Sequence, residues 1–276
     1  MQNLIHFLNG KFVTEEELLI SPRDLGFSRG FGVHDFIVTH NHKLFKLDEH
    51  INRLFNSAEA IEIRMPWSKD QISSWIKETL AKNDQNTEKM VKIFLTGGVS
   101  SSMRQAQIPT IIIMISEYTA QSSSYYENGV KVKASKYTRP YLEAKTNFYL
   151  EGVKQLSQIG NHELEEIVYY DDSQVFEGAG SNIFAVIDNK LITPKSNIVK
   201  GITRNTLLEI LDLDIPIEEN DITFEQLKNA SEIFLTGSSK GVRGVIELNG
   251  KPVGDSKVGT ITREVMAQYN KIISSY

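Results

Sequence analysis

Four short segments carry residue types whose spacing suits chemistry beyond packing. In Val199–Arg204 (VKGITR) a glycine is followed by Ile202 and Thr203 where a helix begins. Unpaired backbone N–H groups and the positive helix end then face outward, which favours a phosphate. An ordinary N-cap by Thr203 accounts for the same residues. Thr236–Gly241 (TGSSKG) directly follows an apolar strand. Its glycines and hydroxyls, Ser238 and Ser239 among them, suit either a backbone nest for an anion or a tight turn. In Glu177–Phe184 (EGAGSNIF) a glutamate precedes a small-residue stretch that lets a flat ligand approach the backbone. Taken alone, Glu177 reads as a solvated turn residue. Lys145 stands in TRPYLEAKTNFYLEG, between a proline-containing strand end and an apolar helix. Partial desolvation among aromatics makes a neutral amine nucleophilic, although any single lysine reads more simply as solvent-facing. No one of the four decides the chemistry.

Composition narrows the classes. The 276 residues are 40% hydrophobic and 24% charged, enough apolar material for a sizeable core. A net charge of −5 and a pI near 5.8 give no basic footprint for nucleic acid or anionic lipid. Cysteine is absent, which excludes disulfides, thiolate nucleophiles and cysteine-based metal sites. The opening MQNLIHFLNGKFV does not read as a signal peptide, and Thr110–Ser116 (TIIIMIS) is too short to cross a bilayer. A cytoplasmic protein without a membrane or nucleic-acid partner is expected.

The elements that must position these residues read as α+β. Leu4–Phe7 and Lys11–Val13 flank Asn9-Gly10, a strong hairpin signal. Gly32–Asn41 with Lys43–Phe45 predicts a second hairpin. Leu47, Ile51, Leu54, Phe55, Ala58 and Ile61 fall at helical spacing, with Asp48 as a possible cap. Ser68 opens another helix through Ile72, Trp75, Ile76 and Leu80. Met90–Leu95 and Thr110–Ile115 read as strands, the second buried on both sides. Glu117–Gly129 is polar and aperiodic and reads as an inter-domain link. Beyond it come strands at Val130–Lys136, Ile167–Tyr170, Asn182–Ile187, Lys190–Thr193 and Glu232–Thr236. Helices are expected over Phe148–Ile159, Arg204–Leu213 and about Val258 to Ser274, with a hairpin at Asn249-Gly250. Two α+β domains follow, 1–118 and 130–276, joined by a linker at 119–129.

The order of the motifs says more than any one of them. A lysine, then EGAGSNIF, then Thr193-Pro194, then KGITR, then a strand ending TGSS, resembles the fold type IV pyridoxal 5′-phosphate (PLP) enzymes. That family includes branched-chain and D-amino acid aminotransferases and 4-amino-4-deoxychorismate lyases. SPRDLGFSRGFGV and FKLDEHINRL carry the likeness into the N-terminal half. The resemblance implies two domains, the second carrying the PLP lysine, and a homodimer acting on amino acids and 2-oxo acids. It assigns the catalytic lysine to Lys145 and the pyridine-nitrogen partner to Glu177. It places Arg53 on the cofactor phosphate, together with Ile202, Thr203, Ser238 and the Ser239 N–H. Val199 packs against the ring and Tyr149 lies near the cofactor hydroxyl. An exposed ion pair with Asp48 or Glu49 is the plainer role for Arg53.

Departures bear on substrate. Many relatives carry GDG where this chain has Gly30-Phe31-Gly32, and glycine stands at 97 where they often read TRG. His34 occupies a position where tyrosine or phenylalanine often lines the substrate pocket; it is either a neutral pocket residue or a core histidine. Arg104 is a candidate for binding the substrate carboxylate. A transaminase of the branched-chain or D-amino acid type is expected. A lyase on the same cofactor, or a PLP-binding protein without turnover, are the alternatives.

Overall fold

Four two-residue reversals set much of the chain path. Asn9-Gly10, Asn41-His42, Asp188-Asn189 and Asn249-Gly250 each have both residues at positive φ. That geometry matches the twist of flanking strands. Each closes a hairpin, pairing Leu8 with Lys11, His40 with Lys43, Ile187 with Lys190 and Leu248 with Lys251. The computed structural model describes residues 4–158 and 164–276. The chain divides into two units, Met1–Thr119 with Glu143–Phe148 and Tyr276, and Ala120–Leu142 with Tyr149–Ser275.

The first unit contains β1 (Ile5–Leu8), β2 (Lys11–Thr14), α1 (Leu25–Arg29), β3 (Gly32–His40), β4 (Lys43–Leu44), α2 (Leu47–Ala60), α3 (Lys69–Ala81), β5 (Lys89–Thr96) and β6 (Thr110–Glu117). Its strands form an antiparallel sheet in the order β2-β1-β6-β5-β3-β4. Leu47, Ile51, Leu54 and Ala58 of α2, with Ile72 and Ile76 of α3, are buried against Val33, Ile37, Val91, Ile93 and Ile113 of the sheet. Ser68 caps α3 through a capping box with Gln71. Asp48 does not cap α2. The N-cap is Lys46 in a left-handed conformation, and Asp48 and Glu49 occupy the first turn, where the helix dipole favours anions.

The second unit contains α4 (Ser123–Asn128), β7 (Val130–Lys136), α5 (Leu150–Gln158), β8 (Glu166–Tyr170), β9 (Val175–Gly178), β10 (Asn182–Ile187), β11 (Lys190–Thr193), α6 (Ile202–Ile210), β12 (Ile217–Glu219), α7 (Phe224–Lys228), β13 (Glu232–Gly237), β14 (Gly241–Leu248), β15 (Lys251–Pro252) and α8 (Thr260–Ser274). The sheet runs β12-β11-β10-β13-β14-β7-β8-β9, with β15 on β14. It is mixed: β14–β7, β7–β8 and β11–β12 are parallel. Alternation along its strands sends Ile183, Ala185, Ile233 and Leu235 to one core and Phe184, Val186 and Phe234 to the other, beneath Leu207 of α6 and Val265 of α8.

Several expectations change. Residues 119–129 are not an irregular linker: they hold α4, whose Tyr125 packs against the core of the second unit. Lys145 belongs to the first unit rather than to a C-terminal domain. Residues 145–147 run beside β3, with His34 N donating to the Lys145 carbonyl at 3.0 Å and Asn147 N to the Gly32 carbonyl at 2.9 Å. The helix expected over Phe148–Ile159 spans Leu150–Gln158, and Ile159 lies outside the described residues. Helix α6 begins at Ile202, capped by Gly201 rather than by Thr203. No described helix is long and apolar enough to cross a membrane.

Candidate active site

The backbone of Lys145 is held on both sides. Its N–H donates to Ser57 Oγ of α2 at 3.0 Å, and its carbonyl accepts from His34 of β3. The half-buried side chain brings Nζ to 5.8 Å from the centroid of the Phe36 ring. Fixing both peptide groups limits where the amine reaches. His34 is buried, with Nδ1 3.1 Å from Asn147 Oδ1. Burial, with the charge of Lys145 nearby, pushes His34 down to about 3. The ring is therefore neutral at ordinary pH, and it donates from Nδ1 to the amide oxygen. A Cβ at residue 32 would come within 2.5 Å of Asn147 Nδ2, so glycine at this position makes room for that side chain.

Arg53 does not form the exposed ion pair with Asp48 or Glu49. Its Nε and Nη2 donate to Asp35 Oδ2 and Oδ1 at 2.8 and 2.7 Å, and His50 Nδ1 lies 2.7 Å from Oδ1. Burial alone would raise the fully buried Asp35 carboxyl. The charge of Arg53 and the hydrogen bonds from Arg53 and His50 outweigh it, and the group lies well below the usual carboxylate range. Burial outweighs the pull of Asp35 on His50, lowering it, so the imidazole is a neutral donor. Arg104 is exposed between β5 and β6, with its backbone N–H on Ser102 Oγ. No hydrogen bond or ion pair among the described residues joins Arg104 to the Lys145 cluster.

In the second unit Glu177 is not a solvated turn residue. It lies on β9 and is 6% exposed. Oε1 accepts from Arg139 Nη2 at 2.5 Å, and Oε2 accepts from Asn182 Nδ2 at 3.0 Å and from Val199 N at 3.2 Å. Asn182 also donates to the Val199 carbonyl at 2.8 Å. A Cβ on Gly201 would overlap Asn182 Oδ1, so only glycine lets α6 start this close. Ile202 and Thr203 are buried in the first turn, whose N–H groups have no acceptor within the helix. Thr236 of β13 is the register partner of Asn182, and its buried Oγ1 has no hydrogen-bond partner. Ser238, Ser239 and Lys240 form a three-residue hairpin loop closed by Gly241 at φ +60°. The loop has the form of a tight hairpin turn. Both serines are half-buried. Tyr149 is half-buried just ahead of α5, its carbonyl accepting from Val153 N.

Sequence reasoning missed Asp35, His50, Ser57, Asn147, Arg139 and Asn182. Two of them left a signal. An aspartate inside the apolar run GVHDFIV needs a partner, and His50 and Arg53 fall three apart on the inward side of the following helix.

Residues 32–248 match the family described as amino-transferase class IV. A D-alanine aminotransferase of Staphylococcus aureus (strain COL) is 31% identical over 279 residues, covering 98% of both chains. A putative branched-chain-amino-acid aminotransferase of Methanocaldococcus jannaschii is 30% identical over 278 residues, covering 96% of this chain and 95% of the other. The structure of a branched-chain aminotransferase from Thermoproteus uzoniensis with norvaline aligns with a TM-score of 0.88 at 26% identity, covering 99% of this chain and 95% of that one. The fold is also that of the T.th. branched-chain amino acid aminotransferase with pyridoxamine 5′-phosphate, with a TM-score of 0.91 at 22% identity, covering 100% of this chain and 95% of that one.

Proposed function

Because the chain belongs to the class IV aminotransferase family, we propose that it is a PLP-dependent transaminase, moving an amino group from an amino acid to a 2-oxo acid. The observation that carries this reading is the buried Glu177 carboxylate with three donors on it, one a guanidinium. A buried carboxylate so braced suits a cationic ring nitrogen.

The residues present fit the cofactor. The orphaned Thr236 hydroxyl, paired in register with Asn182, and the first turn of α6, which no side chain caps, supply donors for an anion. When bound, PLP supplies a ring that draws electrons from the substrate α-carbon. Lys145 would hold the cofactor through its amine and, once released by the incoming substrate, would move the proton at the substrate α-carbon. Glu177 would pair with the ring nitrogen. The N–H groups of Ile202, Thr203 and Ser239, the hydroxyls of Thr236 and Ser238 and the Arg53 guanidinium would serve as donors to the phosphate. Val199 would pack on the ring, Tyr149 would meet its hydroxyl, and His34 would contact substrate as a neutral imidazole.

The named relatives act on D-alanine or branched-chain amino acids, and a small or branched donor is proposed here. A cytoplasmic homodimer is proposed with it. Leu19, Phe27, Met103 and Ile108 of the first unit are exposed apolar side chains that a second copy could cover. Sedimentation at two concentrations tests the dimer.

The purified protein should show the absorption of a lysine-bound cofactor and turn over part of a panel of D- and L-amino acids with 2-oxo acids. Lys145→Ala should lose the absorption and the turnover. Unchanged turnover in that variant ends this reading, and pyruvate release without an acceptor would replace it with the lyase.

A further inference from the structure

The Asp35–His50–Arg53 network has more order than a packing role requires. Strand β3 places Asp35 at 0% exposure, and α2 presents His50 and Arg53 to it from one side. Both carboxylate oxygens and one edge of the guanidinium are committed, with three contacts of 2.7–2.8 Å. Isolated buried ion pairs return little net stability for their desolvation, so stability alone is a weak reason for this one. The network also lies within electrostatic reach of Lys145, whose charge acts on His50 and His34.

Orientation explains the arrangement better. A guanidinium is planar, so fixing its Nε–Nη2 edge fixes the direction of its opposite edge. Neutral His50 anchors the Asp35 carboxylate without adding charge, and Asp35 then sets the plane of Arg53. We propose that Asp35, steadied by His50, is a positioning residue that aims Arg53 at the phosphate of the cofactor and so sets preference for the phosphorylated form. This rests on the reading that Arg53 takes the phosphate.

The test compares PLP with pyridoxal, which lacks the phosphate. Full-length protein stripped of cofactor is titrated with each, followed by the absorption of the lysine-bound form. Asp35→Asn should lower the PLP-over-pyridoxal affinity ratio by about 10–100-fold, the range found when an outer residue orienting a ligand is removed. His50→Gln should lower the ratio less, and pyridoxal affinity should hardly move in either variant. A merely structural defect would weaken both ligands alike, and that result overturns the proposal. His50→Gln, which keeps the charge pair, carries the test if Asp35→Asn fails to fold. Arg53→Gln separates the two readings. An unchanged ratio there removes the phosphate assignment and this inference with it. A lost ratio there, with ratios intact in Asp35→Asn and His50→Gln, sinks the positioning role alone.

Discussion

The two clusters of candidate residues are built on different physics. Around Lys145 the chain gathers charge: Lys145, Arg53 and Asp35, with two histidines that burial holds neutral. Around Glu177 it gathers fit: one ion pair with Arg139, then amide, backbone and glycine contacts within hydrogen-bond or contact distance. The first arrangement is sensitive to protonation, the second to volume. The proposed reaction calls on both, since a nucleophilic amine depends on local charge while an electron-withdrawing ring depends on a fixed counter-charge.

The sharpest test of that division is Glu177→Gln, which keeps the volume and removes the charge. It should cut kcat/KM by roughly 10²–10⁴-fold, the scale of a positioned group in proton transfer, and lower the melting temperature as well, because the buried Arg139 guanidinium loses its counter-charge. A loss below tenfold would make the second cluster a scaffold. Protonation tests the first cluster. His34 folded titrates at about 3 and unfolded near 6.5. Its stabilising contribution is therefore complete above about pH 6.5 and is lost as pH falls toward 3. The loss is about 1.4 kcal/mol per pH unit, or about 3 kcal/mol over two units. Urea unfolding from about pH 6 to pH 4 should show a slope shallower by about one proton in His34→Gln. An unchanged slope would mean that His34 is not held neutral.

Volume is the next lever. Gly201→Ala puts a Cβ against Asn182 Oδ1 and should cost about 1–3 kcal/mol in denaturant melts, as overpacking does. It should also lower activity, because Asn182 braces Glu177. The smallest effect belongs to Ser57→Ala, which removes one hydrogen bond to Lys145 N and should cost about 1 kcal/mol. A much larger activity loss than stability loss there would show that the position of Lys145 is itself rate-determining.

Local chemistry was the legible part. Asn9-Gly10 and Asn249-Gly250 announced their hairpins, Ser68 its helix, and Val130–Lys136, Asn182–Ile187 and Lys190–Thr193 their strands to the residue. Motif order was legible too, and it named the family. Strand β9 was not, because a glutamate in a four-residue segment buried along its whole length shows no alternation. The short helix α4 lacks an apolar period and is held by Tyr125 against the core. Asp35 left a trace as an aspartate in an apolar run, but the partner of Glu177 was illegible for a different reason. Glu177 meets Arg139 thirty-eight residues away, and no local pattern encodes such a pairing.

Residues 145–147 beside β3 have a further consequence for how the polypeptide is made. Strand β3 is next to the border of its sheet, and short β4 covers only Thr39 and His40. The stretch around Thr146 shields the other end of that border, at Gly32–His34. A fragment ending at Thr119 would leave those amides and carbonyls bare, an invitation to pairing with other molecules. During synthesis that border of the first unit therefore stays unprotected until residues 145–147 emerge, so early quality control depends on the same few residues to which the proposed chemistry is assigned.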